Sequence, residues 1–261
     1  MGSQDGGFRT VWKPASLAKA AGRSFLDLIF PPQLLDGGPR PQLTGLSAEA
    51  WSRITFIDDP ACDGCGLAFE FSPGPGVRCP DCEARPRRFD RARAACLYDE
   101  HSRDLILQLK HADRTDLAPL FARWLSRSAR DLIEGADVLV PVPLHPRRLL
   151  ARRYNQMAEI ARPLSRIAGL IYLPDSLIRT RATDSQGGKS GTGRRRNVAQ
   201  AFAVPAGKVS GLAGKRVLLI DDVLTTGATA EACALALKRA GASGVDLAVI
   251  ARVKEAANRP I

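Results

Sequence analysis

The sequence predicts an α/β fold in which helices pack on a parallel sheet, with a small cysteine-rich module on its N-terminal side. Two observations lead to this prediction. Strand-like and helix-like apolar patterns alternate from residue 89 onward, whereas residues 61–88 hold four regularly spaced cysteines and too little apolar sequence for a core. Because 45% of the 261 residues are hydrophobic, the chain can bury either one large core or two modest ones.

The N-terminal segment, residues 1–60, carries the weakest signals. We predict a short helix near residues 17–30 and then loop, because glycines and prolines at 37–41 interrupt any regular element. The start has no cationic stretch leading into an apolar run, and nowhere does the chain reach the roughly 20 apolar residues of a membrane span. The sequence therefore favours a cytoplasmic protein without a membrane span, organised as residues 1–60, 61–88 and 89–261.

The first half of the α/β domain combines helices with one strand. Apolar residues at helical spacing between Leu105 and Leu125 predict two helices. Residues 138–142 form a short apolar run typical of a buried strand, and residues 156–168 are again periodic as a helix. Residues 179–197 are polar, basic and rich in glycine and serine, which predicts a mobile loop.

The last third of the chain predicts one strand–helix–strand unit. The strands are expected at residues 216–220 and 245–253, and the helix at 229–240, where Gly241 ends it. Two strands joined through a helix in this order form a parallel crossover. Their carboxyl ends therefore lie at one edge of the sheet, where open α/β folds bind ligands.

The charge distribution favours an anionic partner. Lysine and arginine exceed the acidic residues by 11, and arginines cluster at residues 85–93, 147–153 and 194–196. Such a balance attracts phosphates on a nucleotide, a nucleic acid or an anionic surface. A solvated basic face explains the clusters equally well, so the charge alone selects no function.

Two adjacent carboxylates are the first candidate site residues. Asp221 and Asp222 follow the apolar run Val217-Leu218-Leu219-Ile220 at the predicted carboxyl end of a strand. There they can accept hydrogen bonds from vicinal hydroxyls or help to hold a divalent cation.

The loop after the acids predicts an anion site. Its small residues let the backbone approach a ligand, and its amides face that ligand at the N-terminus of the next helix, where the dipole favours negative charge. The residues are Thr225, Thr226, Gly227, Ala228 and Thr229. The alternative is an ordinary tight turn with Thr229 as the N-cap, which leaves the paired acids and the other threonines unexplained.

Four cysteines predict a structural metal site. They form two Cys-x-x-Cys pairs, namely Cys62 with Cys65 and Cys79 with Cys82. Four thiolates give zinc a closed tetrahedral shell with no position open for catalysis, and the ion replaces the missing core. Free cysteines and an iron–sulfur centre remain alternatives, although glycine-rich turns of this kind suit zinc better.

Several single residues carry weaker signals. The three histidines are scattered and are expected to be structural or solvated: His101, His111 and His145. Tyr154 and Asn155 either orient the neighbouring loop or start the helix that follows. Cys96 and Cys233 are expected to be small buried apolar residues.

The run from Val217 to Thr229, VLLIDDVLTTGAT, resembles the phosphoribosyl-diphosphate motif of type I phosphoribosyltransferases. The resemblance implies that Asp221 and Asp222 bind the ribose hydroxyls and that the loop from Thr225 to Thr229 binds the 5-phosphate. It further implies the parallel-sheet fold of that class and Mg²⁺ bound together with phosphoribosyl diphosphate. The motif is not a Walker loop, since no Gly-Lys-Ser/Thr ends it.

Further motifs narrow the resemblance to the ComF family, which includes competence-associated ComFC-type proteins. They are VPVPLHPRR at 140–148, RRYNQ at 152–156, Thr183 with Gln186, Arg196-Asn197 and Phe202. The similarity spans roughly residues 62–253. Family members often have a second ribbon upstream, and here its cysteine positions are occupied by other residues: Leu34, Gly37, Ser47 and Ala50. We therefore expect one zinc ribbon, at residues 61–88.

The resemblance to the ComF family and the positive charge of arginine together suggest roles for two basic segments. Arg147 and Arg148 follow a predicted strand whose carboxyl end lies near Asp221, so they are candidates for diphosphate contact and catalysis. A surface arginine pair is the alternative. Residues 183–197 resemble the loop that closes over phosphoribosyl sites and excludes water, the alternative being a basic linker.

Three functions remain open on this basis. The first is a phosphoribosyltransferase, a glycosyltransferase-class enzyme that uses phosphoribosyl diphosphate, Mg²⁺ and an unknown acceptor. The second is a DNA-uptake factor that binds single-stranded DNA and competence machinery proteins, with phosphoribosyl diphosphate as a ligand or signal. The third is a scaffold that has lost turnover. The intact acid pair and threonine loop argue against complete loss of ligand binding.

Overall fold

The computed structural model describes residues 46–111, 114–146, 149–150, 154–180 and 201–254. The predicted helix at 17–30, the positions Leu34 and Gly37, the arginines Arg147 and Arg148, and nearly all of the loop at 179–197 lie outside these ranges. Residues Glu49–Ile261 form one compact unit, so the cysteine module and the sheet belong together. The boundaries at residues 60 and 88 stay predictions.

Five parallel strands form the central sheet: β1 (Ala92–Leu97), β2 (Val138–Pro141), β3 (Ile171–Tyr172), β6 (Arg216–Leu224) and β7 (Gly244–Arg252). Their order across the sheet is β1-β7-β6-β2-β3. A separate antiparallel pair joins β4 (Ile178–Arg179) to β5 (Phe202–Ala203). The predicted parallel α/β fold is confirmed.

Seven helices accompany these strands in the described ranges. They are α1 (Ala48–Ser52), α2 (Pro80–Ala84), α3 (Glu100–His111), α4 (Ala118–Ser128), α5 (Arg130–Ile133), α6 (Gln156–Ala168) and α7 (Ala228–Arg239). Short 3-10 turns lie at Thr115–Leu117 and Ala206–Gly211. The two helices predicted between Leu105 and Leu125 are α3 and α4, and α6 has its predicted bounds. Helix α1 lies where the sequence predicted loop. None of these helices is long and apolar enough to cross a membrane.

The sheet is covered on both faces because its strands are apolar on both sides. Val217 and Leu219 of β6 pack in a buried cluster with Cys233 and Leu237 of α7. The alternate residues Leu218 and Ile220 are equally buried and point to the opposite face, since side chains alternate along a strand. Helices α4 and α6 contact each other and the strands of the sheet. Helices therefore cover both faces, and a ligand can reach the sheet at the carboxyl ends of its strands.

Candidate ligand site and metal centre

The paired acids lie inside a strand rather than after it. Strand β6 was predicted to end at Ile220, but it continues to Leu224 because β7 pairs with it as far as Arg252. Its other neighbour, β2, pairs only to Ile220, where the amide of Val142 donates the last hydrogen bond at 2.9 Å. Asp221 and Asp222 therefore extend beyond β2 at the carboxyl edge of the sheet, and both are partly exposed.

The two carboxylates have different partners. Asp221 accepts a hydrogen bond from the amide of Asp222 at 2.9 Å, and Asp222 accepts one from the amide of Val223 at 2.6 Å. Lys110, at the end of α3, forms an ion pair with Asp222. Each carboxylate has two oxygens and several lone pairs, so these contacts leave acceptor capacity for ligand hydroxyls.

The environment of Asp221 disfavours ionisation of its carboxyl group next to the charged Asp222. Burial and the neighbouring charge of Asp222 raise the pKa of Asp221 to about 7, and the positive charges of Lys110 and Arg179 oppose this shift only in part. Crowded acids with a raised pKa are common where a ligand supplies hydrogen-bond donors or positive charge. The pair is therefore suited to binding the hydroxyls of a sugar.

The turn after β6 presents backbone amides. Gly227 has φ +82°, a left-handed conformation that favours glycine, and it is the N-cap of α7. The helix begins at Ala228, one residue before the predicted start, and no side chain caps it. Thr229 lies within the first turn, so the alternative that made it the N-cap is wrong. The first amides of α7 have no acceptor within the helix, which is the arrangement that binds anions.

The four module cysteines form one buried cluster. Their sulfur atoms all lie within 4.8 Å of one another, and none forms a disulfide. Two tight turns produce the cluster: the amide of Gly66 donates to the carbonyl of Cys62 at 2.8 Å, and that of Cys82 donates to Cys79 at 2.9 Å. The amide of Cys79 also donates to the sulfur of Cys62 at 3.1 Å, which ties the two turns together.

This donor set fits a tetrahedral metal ion. Zinc–sulfur bonds of about 2.3 Å give sulfur–sulfur edges of about 3.8 Å, and the sulfurs of Cys65 and Cys79 are 3.7 Å apart. The Cys65 thiol lowers the pKa of Cys62 through a hydrogen bond, and the same interaction raises the pKa of Cys65. Adjacent thiolates need a cation to be stable together. The cluster can therefore hold a metal ion, with all four sulfurs as ligands and a structural role.

Two arginines connect the metal centre to the rest of the unit. The buried side chain of Arg252, at the end of β7, donates to the carbonyl of Cys65 at 2.8 Å. Arg87, near the end of the cysteine module, donates to the carbonyl of Thr226 at 2.9 Å and to Glu231 at 3.2 Å. These two side chains tie the cysteine module to the end of β7 and to the turn after β6.

The arginine cluster at residues 85–93 is not a free basic face. Arg91 and Arg93 both bind Asp131, and Arg93 also binds Asp63 at 2.9 Å. Arg87 is paired with Glu231, and its side chain is only 10% exposed. Most of the charge in this cluster is therefore used inside the fold, whereas Arg88 is exposed.

Other predicted residues have structural roles. Asn155 is the N-cap of α6, where it accepts from the amide of Met157 at 3.1 Å and donates to the carbonyl of Val142 at 3.1 Å. Helix initiation therefore explains Asn155, which also holds the end of β2. Tyr154 donates to the carbonyl of Leu109 at 3.1 Å. Cys96 and Cys233 are fully buried, as predicted.

Sequence reasoning missed the basic residues that contact the site. Lys110 is one of several charged residues on an amphipathic helix, and Arg252 is the last residue of an apolar strand. Arg87 lies in a run of arginines that reads as a basic surface. No local pattern marks these three residues, because their partners are more than 100 residues away along the chain.

Comparisons with known proteins agree with this geometry. A family model described as a phosphoribosyl transferase domain matches residues 159–260. The DNA utilization protein YhgH of Escherichia coli K12 is 32% identical over 207 residues, covering 77% of this chain and 88% of that protein. Competence protein F of Haemophilus influenzae is 28% identical over 198 residues, covering 74% and 85%. Competence protein ComFC of Streptococcus pneumoniae is 27% identical over 202 residues, covering 77% and 84%.

Solved structures give a weaker likeness. The glutamine phosphoribosylpyrophosphate amidotransferase of B. subtilis is 24% identical, with 53% of this chain and 26% of that chain covered and a TM-score of 0.34. A hypoxanthine phosphoribosyl transferase of Trypanosoma cruzi is 10% identical, with 56% and 70% covered and a TM-score of 0.36. Neither bears on function.

The parallel sheet and the matched domain model define a protein of the phosphoribosyltransferase fold, to which a cysteine cluster is added on the N-terminal side. The similarity to YhgH and to the competence proteins extends over most of their length. The chain belongs to the ComF family.

Proposed function

We propose that this protein binds phosphoribosyl diphosphate with Mg²⁺ at the carboxyl edge of β6. The observation that carries the proposal is the juxtaposition of two partly exposed carboxylates with an uncapped helix N-terminus. Asp221 and Asp222 accept hydrogen bonds from the ribose hydroxyls. The backbone from Thr225 to Thr229 holds the 5-phosphate through amide donors and the helix dipole.

We further propose that the bound sugar phosphate reacts with an acceptor. The bond between C1 and the diphosphate oxygen breaks, the diphosphate leaves with the electron pair, and a nucleophilic acceptor atom bonds to C1 and loses its proton. Mg²⁺, when bound, neutralises the charge of the diphosphate. Arg147 and Arg148 stabilise the same charge as it develops, and the loop at 183–197 excludes water.

Binding and turnover have separate tests. Titration with phosphoribosyl diphosphate, with and without Mg²⁺, should give saturable binding that Asp222→Asn weakens while thermal unfolding stays cooperative. Equal affinity in wild type and variant would refute the site assignment. Diphosphate release that requires an added acceptor would then demonstrate transfer, and saturable binding without release with any acceptor would favour a ligand-sensing protein.

The alternative is a non-catalytic competence factor in the cytoplasm that binds single-stranded DNA and other uptake proteins. The printed names of the relatives and the net charge of +11 favour it. The engagement of Arg87, Arg91 and Arg93 in ion pairs limits the basic surface of the cysteine module. Arg88→Ala should weaken single-stranded DNA binding if this surface is used, and unchanged affinity would exclude it.

A further inference from the structure

Arg87 belongs to the cysteine module and contacts the turn at residues 225–229. Its guanidinium donates to the carbonyl of Thr226 at 2.9 Å and to the carboxylate of Glu231 at 3.2 Å. Arg87 lies five residues after Cys82, one of the four cluster cysteines. One largely buried cation thus joins the segment that follows the cysteine cluster to the turn and to the first helical turn of α7.

The contact with Thr226 determines which way a peptide group faces. In a planar trans peptide the carbonyl and the following N–H point in opposite directions. Arg87 attracts the carbonyl of Thr226, so the amide of Gly227 is directed to the opposite side. Gly227 has φ +82°, and a Cβ at this position would lie 3.3 Å from the guanidinium of Arg87. The turn is therefore packed directly against this arginine.

An ion pair holds Arg87 in this position, because its guanidinium lies 3.2 Å from the carboxylate of Glu231. Glu231 is itself held by Arg85, whose nitrogen lies 3.7 Å from the second carboxylate oxygen. Arg85 contacts the same carboxylate without a contact to the turn, which makes it a natural control.

We propose that Arg87 is a positioning residue that holds the Thr226–Gly227 peptide ready for the 5-phosphate and links this peptide to the metal-bound cysteine module. The inference rests on the proposed function. It assigns the cysteine module a role in ligand affinity besides its role in folding. A metal at the four sulfurs fixes Cys82 and the segment that follows it, Glu231 holds Arg87, and Arg87 orients the peptide.

The first test compares Arg87→Met with Arg85→Met by titration with phosphoribosyl diphosphate and Mg²⁺. Arg87→Met keeps the length of the side chain and removes its donors, and it should raise the Kd about tenfold or more, because a charged hydrogen bond is lost. Arg85→Met should change the Kd less than twofold. Both proteins should keep the metal content of the wild type. Equal Kd values for wild type and Arg87→Met would overturn the inference while leaving the proposed function intact.

The second test does not need the ligand. Amide hydrogen exchange should be faster at residues 224–231 in Arg87→Met than in wild type or Arg85→Met, and Gln156–Ala168 should keep its protection as an internal reference. If Arg87→Met fails to fold, Glu231→Gln, which keeps Arg87 and all four cysteines, should show the same local acceleration to a smaller degree. Unchanged exchange at 224–231 in Arg87→Met, or in Glu231→Gln if Arg87→Met does not fold, would overturn the inference.

A third test addresses the link between the turn and the metal centre. Chelator treatment of the wild type should speed exchange at 224–231, and in Arg87→Met it should add little at the same residues. Equal acceleration in both proteins would show that Arg87 does not link the turn to the metal centre, and it would overturn this part of the inference. Loss of protection in Gln156–Ala168 as well would show that the metal holds the whole unit and would overturn a specific link. Absence of saturable ligand binding in wild type would instead refute the proposed function.

Discussion

Asp221 and Asp222 are neighbours in sequence, but their surroundings make them unequal. Asp222 forms an ion pair with Lys110, whereas Asp221 has the negative charge of Asp222 next to it. Burial, and then the charge of Asp222, give Asp221 a pKa of about 7 in the folded protein. A carboxyl whose pKa rises on folding releases its proton more easily when unfolded, so it favours unfolding as the pH increases.

We therefore expect Asp221→Asn to stabilise the ligand-free protein in a pH-dependent way. Near pH 4 the variant and the wild type should unfold at similar temperatures, because Asp221 is protonated in the folded state. The advantage of the variant should grow up to about pH 7 and level off above it, reaching at most a few kcal/mol. Thermal unfolding in Mg²⁺-free buffer from pH 4 to 8 measures this, and a difference independent of pH would contradict the assignment of Asp221.

Gly227 gives a second prediction at the scale of a residue. Its φ of +82° is unfavourable for any residue with a Cβ, and Gly227→Ala should cost about 1–2 kcal/mol in unfolding free energy. Gly169 also has a positive φ, at 68°, but its Cβ would meet no other atom within 4 Å. Gly169→Ala should therefore lower stability to a similar degree and leave ligand affinity unchanged. Denaturant unfolding and ligand titration of both variants distinguish a local defect at the site from general strain.

Among the elements, β6 shows what a sequence can and cannot predict. The run Val217-Leu218-Leu219-Ile220 predicted the strand, and the acids were expected at its carboxyl end. Pairing with β7 carries the strand on through Asp221 and Asp222 to Leu224. This extension depends on a neighbour that follows in the chain, so no local pattern contains it. The helices α3, α4 and α6 were predictable because each carries its own apolar periodicity.

The cysteine module should depend on its metal. Cys79→Ser removes one of four ligands and should lower the bound metal from one ion per chain to none, with a large loss of thermal stability because the module has almost no other core. Cys233→Ala is the control, since Cys233 is equally buried but lies in the main core. It should keep the metal and cost about 1 kcal/mol. Metal analysis and thermal unfolding give both results, and a Cys79→Ser protein with full metal content would contradict a four-sulfur site.

At the scale of the whole molecule, the module and the sheet form one unit. The sequence predicted the cysteine cluster and the sheet edge separately, since each has a local motif. It could not predict that Arg87 and Arg252 join them, because those contacts span 139 and 187 positions along the chain. The same kind of contact pairs Arg87, Arg91 and Arg93 of the basic cluster at 85–93, whose role the sequence left open. Charges in a sequence do not show which of them are paired.

The most direct measurement is a calorimetric titration of the wild type and of Asp222→Asn with phosphoribosyl diphosphate in the presence of Mg²⁺. The account predicts saturable binding to one site per chain in the wild type, and an affinity at least about tenfold lower in the variant, because a charged acceptor for a ribose hydroxyl is replaced by a neutral amide. Both proteins should unfold with the same cooperativity. No saturable binding in the wild type, or equal affinity in the two proteins, would contradict the central claim.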